Sequence, residues 1–221
     1  MFVSILSVLF RTLCGGLILL FAGSLDAVAA PQSLLVVGDS LTAGYGLPQG
    51  HAFPSVLEER LSKMGMEVRV RNGGVSGDTT AGGRARLDWI LQPRPDAVIL
   101  ELGANDALRG QPPKSTYQNL KAMIATLQKE NIPVLLAGMK APRNYGEEYA
   151  AKFDAIYPKL AEETGVQLYP FFMAGVITRP ELLQADGLHP TKEGVSVIVD
   201  HILPHVKALL KQAESLPQKS Q

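Results

Sequence analysis

Short apolar runs alternate along the chain with stretches in which apolar residues recur every three or four positions. Ser33-Leu34-Leu35-Val36-Val37 is a continuous apolar run stopped by Gly38, the pattern of a parallel strand buried on both faces. Phe53, Val56, Leu57, Leu61 and Met64 follow at helical spacing and end at Gly65. Glu67 to Arg71 alternates, with Val68 and Val70 on one face, and reads as a second strand. Thr79 to Leu91 reads as a helix and Asp96 to Leu102 as a third, strongly apolar strand. Leu120, Met123, Ile124 and Leu127 mark another helix, and Ile132 to Ala137 a fourth strand. Tyr149 to Glu163 reads as one helix stopped by Gly165, with Val166 to Tyr169 as a short fifth strand. Glu193 to Lys211 closes the chain as an amphipathic helix in which Pro204 predicts a kink or an early break. Strands alternating with helices predict an α/β fold, a three-layer α/β/α sandwich on a mostly parallel five-stranded sheet. No internal repeat is visible.

The first thirty residues break the alternation. Met1 to Ala22 is mostly apolar, with Arg11 its single charged side chain. Leu13 to Ala22 fits the core of a signal peptide, and Ala27-Val28-Ala29-Ala30 supplies small residues for cleavage after Ala29 or Ala30. A retained membrane anchor is the rival reading, but the run from Thr12 to Ala22 is short for a full span. A lipoprotein signal is a third, weakened by Arg11-Thr12-Leu13 before Cys14. The expected organisation is a signal peptide at 1–30, one domain at 31–214 and a polar tail at 215–221. The expected location is the periplasm or the exterior, with no stable membrane insertion after cleavage.

Composition bounds the function classes. The chain has 221 residues, 46% apolar and 19% charged, enough for one domain with a sizeable core. Its 21 basic and 21 acidic groups cancel, and no polybasic run points to nucleic acid. Cleavage removes one of each sign, Arg11 and Asp26, so the mature chain stays neutral. It also removes Cys14, the only cysteine, which excludes a disulfide or a thiolate metal site in the mature protein.

Sites in such sheets gather at the carboxyl ends of the strands. The loops there are expected to open at Gly38, Asn72 and Gly103. In Gly38-Asp39-Ser40-Leu41, a serine just past a buried strand is presented at the sheet edge, and its own N–H can point into a site. Taken alone, Asp39 or Ser40 reads equally well as a helix cap. A nucleophilic serine needs a base, and His189 stands in Asp186-Gly187-Leu188-His189-Pro190. An aspartate three residues before a histidine can reach the imidazole, fix its tautomer and stabilise the imidazolium; a plain Asp-Gly turn is the bland reading. His201 and His205 are four apart on the last helix, but the glutamate of a metalloprotease and a third ligand are missing, so they read as ordinary helix residues. His51 has no acidic neighbour nearby.

Acyl transfer also needs donors for an oxyanion. Asn72-Gly73-Gly74-Val75-Ser76-Gly77-Asp78-Thr79 offers close backbone approach and an unpaired N–H near a helix start. Gly103-Ala104-Asn105-Asp106 offers the Asn105 amide. A phosphate-binding reading of the glycines fails, because no Gly-Lys-Ser/Thr or correctly placed Gly-x-Gly-x-x-Gly is present. Four loops converging on one sheet edge decide for catalysis.

Those four segments resemble the four blocks of the SGNH (GDSL) hydrolases, over essentially the whole mature chain. Val36 to Gly46, Glu101-Leu102-Gly103, Asn105 to Gly110, Asn144-Tyr145-Gly146 and Tyr157 to Leu160 are similar to the periplasmic branch of acyl-CoA thioesterases, lysophospholipases and arylesterases. The resemblance implies a flavodoxin-like fold and a monomer that cleaves small acyl esters or thioesters without metal or organic cofactor. It implies Ser40 as nucleophile, His189 as base and then acid, and Asp186 as its orienting partner. The Ser40 N–H, the Gly77 N–H and the Asn105 amide are the implied oxyanion hole. Ala104 departs from the second glycine common in the family, a small methyl that removes no reacting group. Pro142, Tyr145, Phe171, Phe172 and Met173, with the loops at 75–82, 108–113 and 140–149, are expected to line the acyl site. Export sets a difficulty, because coenzyme A thioesters are cytoplasmic. A carbohydrate acetyl esterase, or a non-catalytic binding protein on the same fold, are the alternatives.

Overall fold

The computed structural model of the protein describes residues 31–216, so the expected leader at 1–30 and residues 217–221 of the tail lie outside the described residues. Five strands form one sheet: β1 (Gln32–Gly38), β2 (Val68–Gly74), β3 (Ala97–Glu101), β4 (Val134–Ala137) and β5 (Gln167–Tyr169). Their order is β2-β1-β3-β4-β5, and every pairing is parallel. Leu34 to Val37 and Ala97 to Leu100 are buried, as central strands covered on both faces must be. Each such apolar side chain contributes about 1.5–3 kcal/mol by leaving water.

The helices are α1 (Ser40–Ala43), α2 (Phe53–Lys63), α3 (Thr80–Ile90), α4 (Ala104–Leu108), α5 (Pro113–Lys129), α6 (Glu147–Asp154), α7 (Ile156–Thr164) and α8 (Lys192–Glu214). Helix α2 packs with α8, while α5 packs with α3 and α7, which gives two helical layers around the sheet. Because β2 lies on one side of β1 and β3 on the other, the chain reverses its direction of travel across the sheet between β1 and β3. The connections diverge there and leave a crevice at the carboxyl edge.

Several expectations need correction. The second strand runs on to Gly74 because Asn72, Gly73 and Gly74 pair with Val36, Val37 and Gly38, so the loop opens at Val75 rather than Asn72. The single helix expected over Tyr149 to Glu163 is two, joined at Ala155. Pro158 supplies no N–H for the Asp154 carbonyl and its ring crowds that carbonyl, which ends α6 there. Pro204 does not break α8, which continues through it for 23 residues. Two short helices at the site, α1 and α4, and 3-10 turns at Arg143–Tyr145 and Pro180–Leu182 carry too few residues for a periodic signal.

Candidate active site

The site grows from the end of β1. Gly38 pairs with Gly74 on one side and Glu101 on the other, and α1 begins two residues later. A Cβ on Gly38 would meet Thr42 Oγ1 at 2.1 Å and Glu101 Oε2 at 2.5 Å, so only glycine lets α1 fold down over the strand end. Asp39 caps α1: its Oδ1 accepts from the Leu41 N–H at 3.0 Å. That turn holds Ser40 at the mouth of the crevice.

Across the crevice, the turn at Asp186 to His189 presents the imidazole. Asp186 Oδ1 accepts from the Leu188 and His189 N–H groups at 2.9 and 3.0 Å. Its Oδ2 lies 2.6 Å from His189 Nδ1, and His189 Nε2 lies 2.8 Å from Ser40 Oγ. The two backbone N–H groups and the imidazole hold the Asp186 carboxyl down at about 2. The carboxylate is therefore charged at neutral pH. Gln184 ties the two loops together, donating from Nε2 to the carbonyls of Tyr45 and Pro190 at 2.8 and 2.9 Å. The Tyr45 ring packs on the His189 ring at 4.6 Å between centroids.

Ser40, Gly77 and Asn105 line the same cleft, each with a polar hydrogen to offer. Neither the Ser40 N–H nor the Gly77 N–H has an acceptor among the described residues. Gly77 adopts φ +83° in a turn closed by the Asp78 N–H on the Val75 carbonyl at 3.0 Å, a conformation that favours glycine. Arg109 donates to the Gly77 carbonyl at 2.8 Å, and Arg86 bridges Asp78 and the Gly38 carbonyl at 2.7 and 3.1 Å. Asn105, in the first turn of α4, donates one amide hydrogen to Asp39 Oδ2 at 3.1 Å, which leaves the second for a ligand. Asp106 anchors α4 by accepting from the Thr80 N–H at 2.8 Å and from the Thr80 and Thr116 hydroxyls.

Below the serine turn lie two buried carboxyls. Burial pushes Asp39 up to about 6, against the lowering pull of the Leu41 N–H and the Asn105 amide. Glu101 accepts from Thr42 Oγ1 at 2.6 Å and from the Asp39 N–H at 3.4 Å, while its Oε1 has no partner among the described residues. Burial first, and then the Asp39 charge, raise Glu101 well above the carboxylate range. Of the pair, Asp39 is the one that ionises.

A cleft of about 800 Å³ runs from this centre, touching Ser40, Gly77, Asn105 and His189. Leu41, Leu108, Met139, Phe171, Met173, Ile177 and Leu188 supply its apolar wall, and Lys140, Pro142 and Arg143 its edge. The expected lining residues Pro142, Phe171 and Met173 are there. Phe172 is not: it is fully buried, its ring edge-on to Phe53 with centroids 5.0 Å apart, in a turn pinned by its N–H to the Gly138 carbonyl. Tyr145 lies outside the wall, its hydroxyl donating to the Leu108 carbonyl at 3.1 Å. His201 and His205 are occupied elsewhere, His201 Nδ1 being 3.1 Å from the Ala174 carbonyl and His205 packing on the Tyr169 ring. The sequence reading missed Tyr45, Gln184, Arg109 and Glu101. Tyr45, Glu101 and Arg109 lie in segments the sequence reading singled out without giving them a role, and Gln184 lies in none.

A parallel sheet of this order with such a serine centre at its switch point places the chain in the class of α/β/α ester hydrolases. Residues 36–197 match the GDSL-like Lipase/Acylhydrolase family, and the chain belongs to that family. It is 48% identical to an arylesterase of Vibrio mimicus over 177 residues, covering 80% of this chain and 88% of that protein. It is 40% identical to the thioesterase 1/protease 1/lysophospholipase L1 of Escherichia coli (strain K12) over 183 residues, covering 82% and 86%. The crystal structure of the psychrotrophic esterase EstA from Pseudoalteromonas sp., inhibited by monoethylphosphonate, superposes with a TM-score of 0.77 at 34% identity, covering 81% of this chain and 99% of that one.

Proposed function

We propose that this ester hydrolase works through an acyl-enzyme on Ser40 and takes carboxylic esters and thioesters with an apolar acyl or aryl part. The observation that carries this is the continuous chain from Ser40 Oγ through the His189 ring to Asp186, with links of 2.8 and 2.6 Å. His189 removes the Ser40 proton as Oγ attacks the acyl carbonyl, and Asp186 stabilises the imidazolium. The Ser40 N–H, the Gly77 N–H and the Asn105 amide receive the oxyanion. The imidazolium then protonates the departing alcohol or thiol, and water repeats the sequence on the acyl-enzyme. The base works only as neutral imidazole, so activity falls at acidic pH.

The apolar wall from Leu41 to Leu188 supports an acyl chain or aromatic ring over the polar sugar of a carbohydrate esterase. The names of the relatives support arylester and thioester substrates. The apolar leader ending in Ala27-Val28-Ala29-Ala30 supports export to the periplasm. Among the described residues no helix is long and apolar enough to cross a membrane.

Ser40→Ala is the test. The variant is expected to lose turnover of a p-nitrophenyl ester with an unchanged melting curve, and a fluorophosphonate is expected to label the parent protein once, at Ser40. Near-parental activity in the variant refutes the acyl-enzyme, and failure of labelling favours a non-catalytic binder.

A further inference from the structure

His189 reaches Ser40 from a separate loop, and that loop is a closed unit. The Gln184 N–H donates to the His189 carbonyl at 2.8 Å, and the Gly187 N–H donates to the Gln184 carbonyl at 2.9 Å. Leu183 and Pro190 form an antiparallel bridge at its base. With the two N–H groups on Asp186 Oδ1, residues 184–189 are held as one piece that carries the Asp186–His189 pair. These internal bonds orient the imidazole on the carboxylate, but none of them places it against Ser40.

The serine side offers a rigid point of its own. The Ser40 carbonyl accepts from both the Gly44 and the Tyr45 N–H groups at 3.1 Å, so Tyr45 is locked one turn past the nucleophile. Gly44 and Gly46 on either side of it adopt φ +84° and +72°, which directs the Tyr45 carbonyl outward from α1. Gln184 Nε2 donates to that carbonyl at 2.8 Å and to the Pro190 carbonyl, next to His189, at 2.9 Å. Both amide hydrogens are used, one within the base loop and one across to the serine turn. Apart from the His189–Ser40 contact itself, this is the one hydrogen bond between residues 184–190 and residues 39–47 among the described residues. The amide seats against Gly46, where a Cβ would run into its Oε1. The Tyr45 ring packs on the His189 ring at 4.6 Å between centroids, so the residue that receives the bond also backs the base.

We propose that Gln184 is a positioning residue for the reaction: its amide clasps the base loop to the serine turn and so sets the distance from His189 Nε2 to Ser40 Oγ. The proposal rests on the reading of Ser40, His189 and Asp186 as the reacting groups. Gln184 is not part of the cleft wall, so it acts through His189 rather than on substrate. Proton transfer from the hydroxyl to the imidazole demands hydrogen-bond reach, and a misplacement of about 1 Å costs about a hundredfold in rate. Without the clasp the base loop keeps its own bonds but is free to draw back from Ser40.

The experiment compares the parent with Gln184→Met, which keeps the length of the side chain and removes both donors. The substrate is a water-soluble p-nitrophenyl butyrate, at a temperature well below both melting points. We expect kcat to fall by about tenfold or more with KM little changed. The rate of labelling by a fluorophosphonate is expected to fall in parallel, because that attack too needs His189 to take the Ser40 proton. Gly46→Ala displaces the amide from the other side while leaving Gln184 in place. It is expected to lose kcat by a similar factor, and the double variant to lose about as much as the larger single loss. Parental kcat in Gln184→Met overturns the proposal whatever happens to its melting point, and leaves the clasp a stabilising contact alone. A rise in KM that accounts for the loss, or losses that multiply in the double variant, overturns it as well. Should Gln184→Met fail to fold, Gly46→Ala decides by the same reading of kcat. Ser40→Ala is assayed beside them: no turnover there with parental kcat in Gln184→Met separates a failed clasp from a failed acyl-enzyme mechanism.

Discussion

Asp39→Asn tests the link between stability and the site. A rise from 3.8 to about 6 makes the ionised form about 3 kcal/mol less favourable in the fold than in the unfolded chain, at about 1.4 kcal/mol per unit. The sign follows from the raised value. Stability from this group is fully present below pH 3.8 and is lost as pH rises through about 6. The introduced amide carries no charge at any pH. Its oxygen can still accept from the Leu41 N–H, but its nitrogen then faces the Asn105 amide in place of Asp39 Oδ2. Two donors in that position cost about 1–3 kcal/mol, and that cost does not depend on pH. The pH slope therefore isolates the buried charge. Between about pH 4 and about pH 8 the parent is expected to lose about 2 kcal/mol relative to the variant. Urea unfolding of both proteins across that range measures it. Parallel stability curves would refute a buried, ionising Asp39. The same variant releases the Asn105 amide, so kcat on a soluble ester is expected to fall, by about a hundredfold if the donor is misplaced by an ångström, with KM little changed.

Asn105→Ala removes the side-chain donor we propose for the oxyanion and is expected to lower kcat by about a hundredfold or more in steady-state assays, with the fold intact. Asp186→Asn leaves the turn but presents the wrong partner to the imidazole; a loss of several orders of magnitude in kcat is expected, and a loss below tenfold would remove Asp186 from the mechanism. Phe171→Ala strips apolar wall from the cleft, so the rate on an octanoyl ester is expected to fall about tenfold against an acetyl ester of the same alcohol.

The central strands were legible because parallel strands covered on both faces read as apolar runs, as in Leu34 to Val37 and Ala97 to Leu100, and the edge strand β2 because Val68 and Val70 alternate with exposed or half-buried residues. The central residues of the site were legible for a related reason. Ser40 and Asn105 lie directly past β1 and β3, the strands that flank the switch point, so their place follows from the strand pattern. What escaped was long-range. Gln184 joins loops 139 residues apart by a bond to the Tyr45 carbonyl, and nothing in the local sequence marks it. Glu101 falls inside the strand expected at Asp96 to Leu102, but a single acidic residue in an apolar strand carries no sign that it is fully buried against the serine turn. Phe172 and Tyr145 were misplaced because residue type gives apolarity but not the direction in which a loop side chain points.

Asp39 removes the apparent choice between a helix cap and a catalytic turn. One of its oxygens caps α1, which fixes the backbone that carries Ser40; the other holds the Asn105 amide. A cap alone is equally well made by an exposed serine or asparagine. A charged carboxyl buried on two structural duties, above a second buried carboxyl, is costly for stability, as its rise to about 6 records. The fold bears that cost because a single side chain holds the Ser40 turn past β1 and the Asn105 amide past β3 in a fixed relation across the switch point. The cap is thus part of the site.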